Sequence, residues 1–314
     1  LEAIEYDEYD SNLFQEASDI MPELPDVTVY IEALTARILG NVLQDVRIVS
    51  PFLLRTFEPP HESVNNRRVT AVKRFGKRIA IGLDGDLWLV IHLMIAGRFQ
   101  WKAAGAKVTG KIGLAAFDFT SGTLLLTEAG SKRRASMHIF QGLDQVRQHA
   151  PEALDVMSCS VDEFKTVLTS ENHTLKRSLT DPSLFSRIGN AYSDEILHRA
   201  RLSPIMLTNK LTAEEITRLH QATAETLRLW IERLRHAAGV DFPTHVTAFH
   251  DEMSVHGRFG KPCPDCGCPV QRIRYAENEN NYCDKCQTGG RVLADRSLSR
   301  LLKDDWPRSL DEWS

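Results

Sequence analysis

Four cysteines near the C-terminal end, Cys263-x2-Cys266 and Cys283-x2-Cys286 with sixteen residues between the pairs, constrain this chain more than any other feature. Two such knuckles offer four thiolates to one tetrahedral Zn²⁺, and the spacing falls in the range that zinc ribbons use. The metal then supplies the folding energy that so small a segment cannot draw from an apolar core. A site closed by four thiolates leaves no open position, so one structural Zn²⁺ is expected and the chemistry has to lie elsewhere. A disulfide framework fits poorly with a long chain that has room for a large core and shows no secretory signal. Cys268 stands too close behind Cys266 to be needed as a further ligand, and Cys159 reads as a small core residue.

The 314 residues are enough for two or three domains, and 42% hydrophobic with 25% charged residues is a globular profile, neither disordered nor fibrous. The longest apolar run, Leu87 to Gly97, is broken by His92 and falls well short of the roughly 20 residues that span a bilayer. No membrane association and a cytoplasmic, nucleoid-associated location of bacterial type are therefore expected. Charge is unevenly placed. Leu1 to Ile20 hold seven acids and no Lys or Arg, so the other 35 acids face all 38 bases and the chain from Met21 onward is a net +3. That mildly basic body is compatible with a nucleic-acid partner. The leading twenty residues read as an acidic extension outside the mature protein or as a disordered acidic arm.

Met21-Pro22-Glu23-Leu24-Pro25-Asp26 follows. If Met21 is the start and is removed, Pro22 becomes a secondary amine with a carboxylate beside it. An α-amine with a pKa near 8 is partly uncharged at neutral pH and can attack an electrophilic carbon, while Glu23 moves protons. The alternative is a proline-rich turn. Apolar residues from Val27 to Leu39 recur at helical spacing, with Gly40-Asn41 as a stop. Val42–Val49, Arg68–Lys73, Arg78–Leu83, Leu87–His92, Ile112–Phe119 and Thr123–Thr127 read as strands of a β-sandwich or flattened barrel, with Asp84-Gly85 marking a hairpin.

From about Asp144 the pattern becomes helical: Asp162–Leu168, Thr174–Leu179, Asn190–Ala200 and a long periodic helix from Thr212 to Arg235. Three features could touch phosphate. Lys77 follows Gly76 at a strand entrance, where it is a point charge for a phosphate or a solvated strand-edge lysine. Lys132-Arg133-Arg134 form a basic loop, suited to a phosphate backbone and equally to a solvent-facing turn. Gly189-Asn190 opens a helix, where it suits a phosphate oxygen or is a simple N-cap. His92, inside an apolar run, reads as a packed histidine.

Taken in order, Met-Pro-Glu-Leu-Pro, Gly76-Lys77 with His92-Leu93-x3-Gly97, Ile188 to Glu195, and Gly257-Arg258-Phe259-Gly260-Lys261-Pro262-Cys263-Pro264 resemble the formamidopyrimidine-DNA glycosylase and endonuclease VIII family. The resemblance runs from Met21 to about Gln287. It implies an α+β, multi-domain fold: an N-terminal catalytic β-sandwich with a leading helix (21–145), a helix-two-turn-helix DNA-binding domain (146–255), a zinc-finger hairpin (256–290) and a C-terminal tail (291–314). It also implies a bifunctional DNA glycosylase and abasic-site lyase. In that family the proline is the nucleophile and the glutamate the acid–base catalyst, while the lysine and asparagine hold the backbone around an everted nucleotide. These roles fall on Pro22, Glu23, Lys77 and Asn190. The partner implied is double-stranded DNA with damaged bases or abasic sites, bound by a monomer.

Several positions depart from the family pattern. Asp26-Val27-Thr28 stands where Glu-Val-Glu is usual, Ile95 aligns with the void-filling methionine, Glu128 to Arg134 replaces the loop that probes the opposite base, and Asn278 stands near the zinc-hairpin arginine. The chemistry is kept while the reading of the lesion is changed. A zinc-containing protein that binds damaged or abasic DNA without glycosylase activity is the competing expectation.

Overall fold

The computed structural model describes residues 22–94, 96–108, 110–129, 133–150, 153–186, 188–244, 250–275 and 278–293. The acidic extension, Ile95, Lys132 and the tail beyond 293 lie outside the described residues. Two compact units emerge. One is built from Pro22–Asp155 with Leu227–Val246, the other from Val156–Thr226 with the cysteine-bearing region that follows.

The first unit begins with α1 (Leu24–Ile38), whose Tyr30, Leu34 and Ile38 are fully buried. Each such side chain contributes about 1.5–3 kcal/mol of transfer free energy. Eight antiparallel strands follow: β1 (Val42–Ile48), β2 (Arg67–Phe75), β3 (Arg78–Leu83), β4 (Leu87–His92), β5 (Gly97–Lys102), β6 (Gly113–Phe119), β7 (Gly122–Glu128) and β8 (Ser136–Gln141). They pair in the order β5-β7-β6-β1-β2-β3-β4-β8. The β1–β2 junction is short, with only Val42↔Arg68 and Leu43↔Arg67 in register. Each half of the sheet therefore turns its apolar face onto one shared core, in which Phe117, Leu124 and Leu126 meet Ile79, Leu89 and Ile139. This is the expected sandwich.

Two strands and a short helix go beyond the sequence reading: β5, β8 and α2 (Leu143–His149). β5 does alternate, with Arg98, Gln100 and Lys102 set between Gly97, Phe99 and Trp101, a period the sequence reading passed over, whereas α2 buries only Val146 and shows no clear period. The glycine-lysine pair stands at a strand entrance, as expected. Gly76, at φ +51°, and Lys77 form the tip of the β2–β3 turn, at the opposite end of β3 from Asp84-Gly85. Because Arg78 pairs with His92, that turn lies at the same end of the sheet as the exit of β4.

The second unit holds α3 (Val161–Leu168), α4 (Leu175–Thr180), α5 (Asn190–Ala200) and the first part of α6 (Ala213–Ala238), followed by the hairpin β9 (Gln271–Tyr275) and β10 (Asn278–Tyr282) and by α7 (Asp284–Thr288). Ser160 and Glu163 close a capping box on α3, each partner satisfying a backbone N–H that the helix start would otherwise leave open. Cys159 is half-buried, not a core residue, and its carbonyl accepts from His220 Nε2 at 3.0 Å. Among the described residues no helix is long and apolar enough to cross a membrane.

Candidate functional sites

In the first unit, Glu23 is the N-cap of α1 and is nearly fully buried. Its side chain accepts from the backbone N–H of Asp26, and Asp26 Oδ2 accepts from Glu23 N–H at 2.8 Å. Two short acids thus lock each other across the first helical turn, with Pro25 supplying a backbone angle already suited to helix. The result fixes the carboxylate of Glu23 next to Pro22, which is itself buried. Asp26 was legible only as a departure from a family pattern. Its role as the counterpart of Glu23 depends on the helix starting two residues after Pro22.

Burial pushes the Asp26 carboxyl up to about 7; the nearby Glu23 charge adds to this, while the Glu23 N–H and the Arg98 guanidinium oppose it. Arg98 reaches the same corner from β5, and burial holds its own pKa below the usual range. A Cβ on Gly97 would sit 2.1 Å from Leu93 O, so only glycine permits the Gly97 N–H to bond that oxygen at 2.9 Å.

A stability prediction follows from Asp26. Its folded-state value, about 7, exceeds the ordinary 3.8, so the folded chain holds the proton more tightly than the unfolded chain. The corresponding stability is complete below about pH 4 and is lost as pH rises through 7. Asp26→Asn keeps an oxygen for the Glu23 N–H and removes this titration. Urea midpoints measured at pH 5 and pH 8 should fall more in the wild type than in the variant; parallel falls would refute the assignment.

In the second unit, the four thiolates of Cys263, Cys266, Cys283 and Cys286 converge, all within 4.8 Å of one another. Cys263 and Cys286 Sγ are 3.9 Å apart, and Cys266 and Cys283 Sγ 3.4 Å. A tetrahedron with Zn–S near 2.3 Å has edges of about 3.8 Å, so the donors and their spacing fit one zinc ion. None of the six cysteines is in a disulfide. The knuckles are shaped by backbone bonds, Cys263 N–H to Cys268 O at 2.8 Å and Gly267 N–H to Cys263 O at 2.9 Å.

Sequence reasoning missed what joins this site to the helices. His198 Nε2 on α5 lies 3.3 Å from Cys263 Sγ, the outer-shell contact that orients a ligand thiolate. Asp194, fully buried, accepts from His256 Nδ1 at 2.8 Å, from Asn281 N–H at 3.1 Å and from Lys176. Glu195 accepts from the backbone N–H groups of Ser254, Val255 and His256 at 2.8–3.1 Å. Buried charges of this kind persist only when each is paired and hydrogen-bonded.

Asn190 is not the cap of α5. Gly189 is, and Asn190 opens the helix with its Nδ2 donating to Glu279 O of β10 at 3.0 Å. Lys77 is half-buried at its turn, and Arg133 and Arg134 are exposed. Glu128 is buried and accepts from the N–H groups of Arg134 and Ala135, so it anchors the chain just before β8.

A β-sandwich led by a capped Pro-Glu pair, and a helical unit that carries a four-cysteine hairpin, together define a class of DNA repair proteins. A family model for the formamidopyrimidine-DNA glycosylase N-terminal domain matches residues 21–135, and one for the formamidopyrimidine-DNA glycosylase H2TH domain matches residues 150–240. The formamidopyrimidine-DNA glycosylase of Heliobacterium modesticaldum is 30% identical over 288 residues, covering 85% of this chain and 100% of the relative. An uncharacterized formamidopyrimidine-DNA glycosylase-like protein of Mycobacterium tuberculosis is 40% identical over 162 residues, 52% of this chain and 99% of the relative. The crystal structure of MutM (Fpg) from Thermus thermophilus superposes with a TM-score of 0.72 at 29% identity, covering 85% of this chain and 98% of that one. Lactococcus lactis Fpg, solved with abasic-site DNA, shares the fold with a TM-score of 0.75 at 23% identity, over 85% of this chain and 99% of that one. The chain belongs to the formamidopyrimidine-DNA glycosylase and endonuclease VIII family.

Proposed function

We propose that the protein is a base-excision repair glycosylase with abasic-site lyase activity on double-stranded DNA. The observation that carries this reading is the reciprocal Glu23–Asp26 cap, which holds a buried carboxylate beside Pro22. The damaged nucleotide leaves the stack, and the Pro22 nitrogen attacks C1′ of its sugar as the base departs. The sugar ring then opens at its C1′–O4′ bond, with a proton going to O4′, to give an iminium that makes the C2′ proton acidic; loss of that proton expels the 3′ phosphate and breaks the strand by β-elimination. Glu23 carries the protons in this scheme, and its fixed position shortens their path.

Lys77 at the β2–β3 tip and Asn190 at the start of α5 would hold phosphates, with Lys132, Arg133 and Arg134 adding charge along the backbone. Cys263, Cys266, Cys283 and Cys286 would hold one Zn²⁺. When bound, it cross-links the two knuckles and takes no part in the reaction. The expected acting species is a monomer. A second reading, a damage-binding protein without chemistry, draws on the amide at Pro22: as long as residues precede it, the nitrogen lone pair is delocalised and cannot attack.

The test is strand incision on end-labelled duplexes that each carry one oxidised purine, one oxidised pyrimidine or one abasic site. Incision of at least one by the chain that starts at Pro22, and its loss in Glu23→Gln, supports the enzyme. Tight binding without incision of any supports the binder. Lys77→Ala should lower the slope of log affinity against log salt by about one, as read by fluorescence anisotropy on a lesion duplex. An unchanged slope would return Lys77 to the solvated strand-edge lysines.

A further inference from the structure

The outer face of the sheet carries a cluster that the proposed chemistry does not use. Across β3, β4 and β8 the register places Arg78, His92 and Ser136 in one row. His138 lies two residues further along β8, and so on the same face. Arg55 is brought to the β8 edge by its N–H bond to Met137 O at 2.9 Å. His149, in the last turn of α2, closes the group: its ring centroid is 4.2 Å from that of His138 and 5.0 Å from that of Phe140.

Two nitrogens in this cluster are buried without a hydrogen-bond partner, His138 Nδ1 and His149 Nε2. Such atoms normally find a partner. Among the described residues no carboxylate forms an ion pair with Arg55 or Arg78. The His138 imidazole is pushed down to about 4 by burial first, then by His149, Arg78 and Arg55. The two imidazoles alone would suit a transition metal, but two flanking guanidiniums and no third ligand oppose a cation. An anion meets the opposite conditions. Its oxygens can accept from both guanidiniums and from imidazole N–H groups, and guanidinium forks match phosphate geometry.

We infer that Arg55, Arg78, His138 and His149 form a phosphate-binding subsite that takes a DNA backbone phosphate beyond the one held by Lys77. This rests on the reading of the protein as a DNA-repair enzyme. The location fits, since Lys77 immediately precedes Arg78 and the subsite continues the same end of the sheet toward its β8 edge. Phe140, stacked on His138 with ring centroids 5.7 Å apart, fixes the imidazole for this task.

Anisotropy of a labelled lesion duplex between about 50 and 200 mM salt tests it, with wild type, Lys77→Ala and an Arg55→Gln/Arg78→Gln double variant. The double variant should lower the salt slope by about one and weaken binding by about tenfold. His138→Phe, which keeps the ring stack, should give a smaller loss, and the ring protons of His138 and His149 should shift on duplex addition. A double variant with the wild-type slope, while Lys77→Ala lowers it, would overturn the subsite and leave the repair reading standing. Ring shifts with inorganic phosphate but an unchanged duplex slope would make this a small-anion site and also overturn it. A wild type that binds no duplex would remove both.

Discussion

A chain that begins at Pro22 will be captured covalently on abasic-site DNA by borohydride, whereas one that keeps residues 1–21 will not. The difference is close to all or none because it is electronic. Within the chain the Pro22 nitrogen belongs to a planar amide, whose lone pair is delocalised. At the chain start it is a secondary amine with a pKa near 8. Reduction converts the imine to a stable amine, so a gel reads the adduct directly. Pro22→Gly at the chain start should retain some capture through its primary amine. Glu23→Gln should slow strand cleavage by about 10²–10⁴-fold, the usual contribution of a placed acid–base group, with the cap to Asp26 largely kept. If the chain that starts at Pro22 binds abasic DNA and yields no adduct, the lyase assignment fails.

The second large effect is expected at the thiolates. Cys283→Ser should lower bound zinc from one per chain to near zero, read by metal analysis of the dialysed protein. Cys263 and Cys283 are buried, and among the described residues the only buried aliphatic companions of the cluster are Val255 and Val270. So little apolar surface cannot replace a structural zinc, whose apparent contribution in small ribbons is about 10–16 kcal/mol. The loss should be local. β10 remains tied to α5 through the Asp194 bond to Asn281 N–H and the Asn190 bond to Glu279 O. The variant should therefore keep the helical signal of the second unit by circular dichroism while losing about tenfold or more in duplex affinity. Full zinc content in Cys283→Ser, or no zinc in the wild type, would overturn the assignment.

Much of the framework was legible before any coordinates. Arg78–Leu83 and Leu87–His92 match the observed strands residue for residue, and Asn190–Ala200 matches α5, because each carries a clear period or a buried β-branched run between turn residues. The elements that escaped have specific causes. β8 follows a basic loop and keeps only Met137 and Ile139 fully buried, and α2 is seven residues long. Lys77 was legible as a residue at a strand entrance, and only the pairing shows that its turn shares an end of the sheet with the exit of β4.

Sequence alone determined what depends on neighbours in the chain. The adjacency of Pro22 and Glu23, the two cysteine pairs and the alternation of the strands are all written within a few residues, and chemistry at that range needs no fold to be recognised. Tertiary structure decided what depends on register and packing. His198 meets Cys263 and Asp194 meets His256 across more than sixty residues, and Arg78 shares a face with His138 because the β3–β4–β8 ladder puts it there. A shift of one residue in that ladder would send these side chains to opposite faces of the sheet, a choice settled by the burial of the shared core.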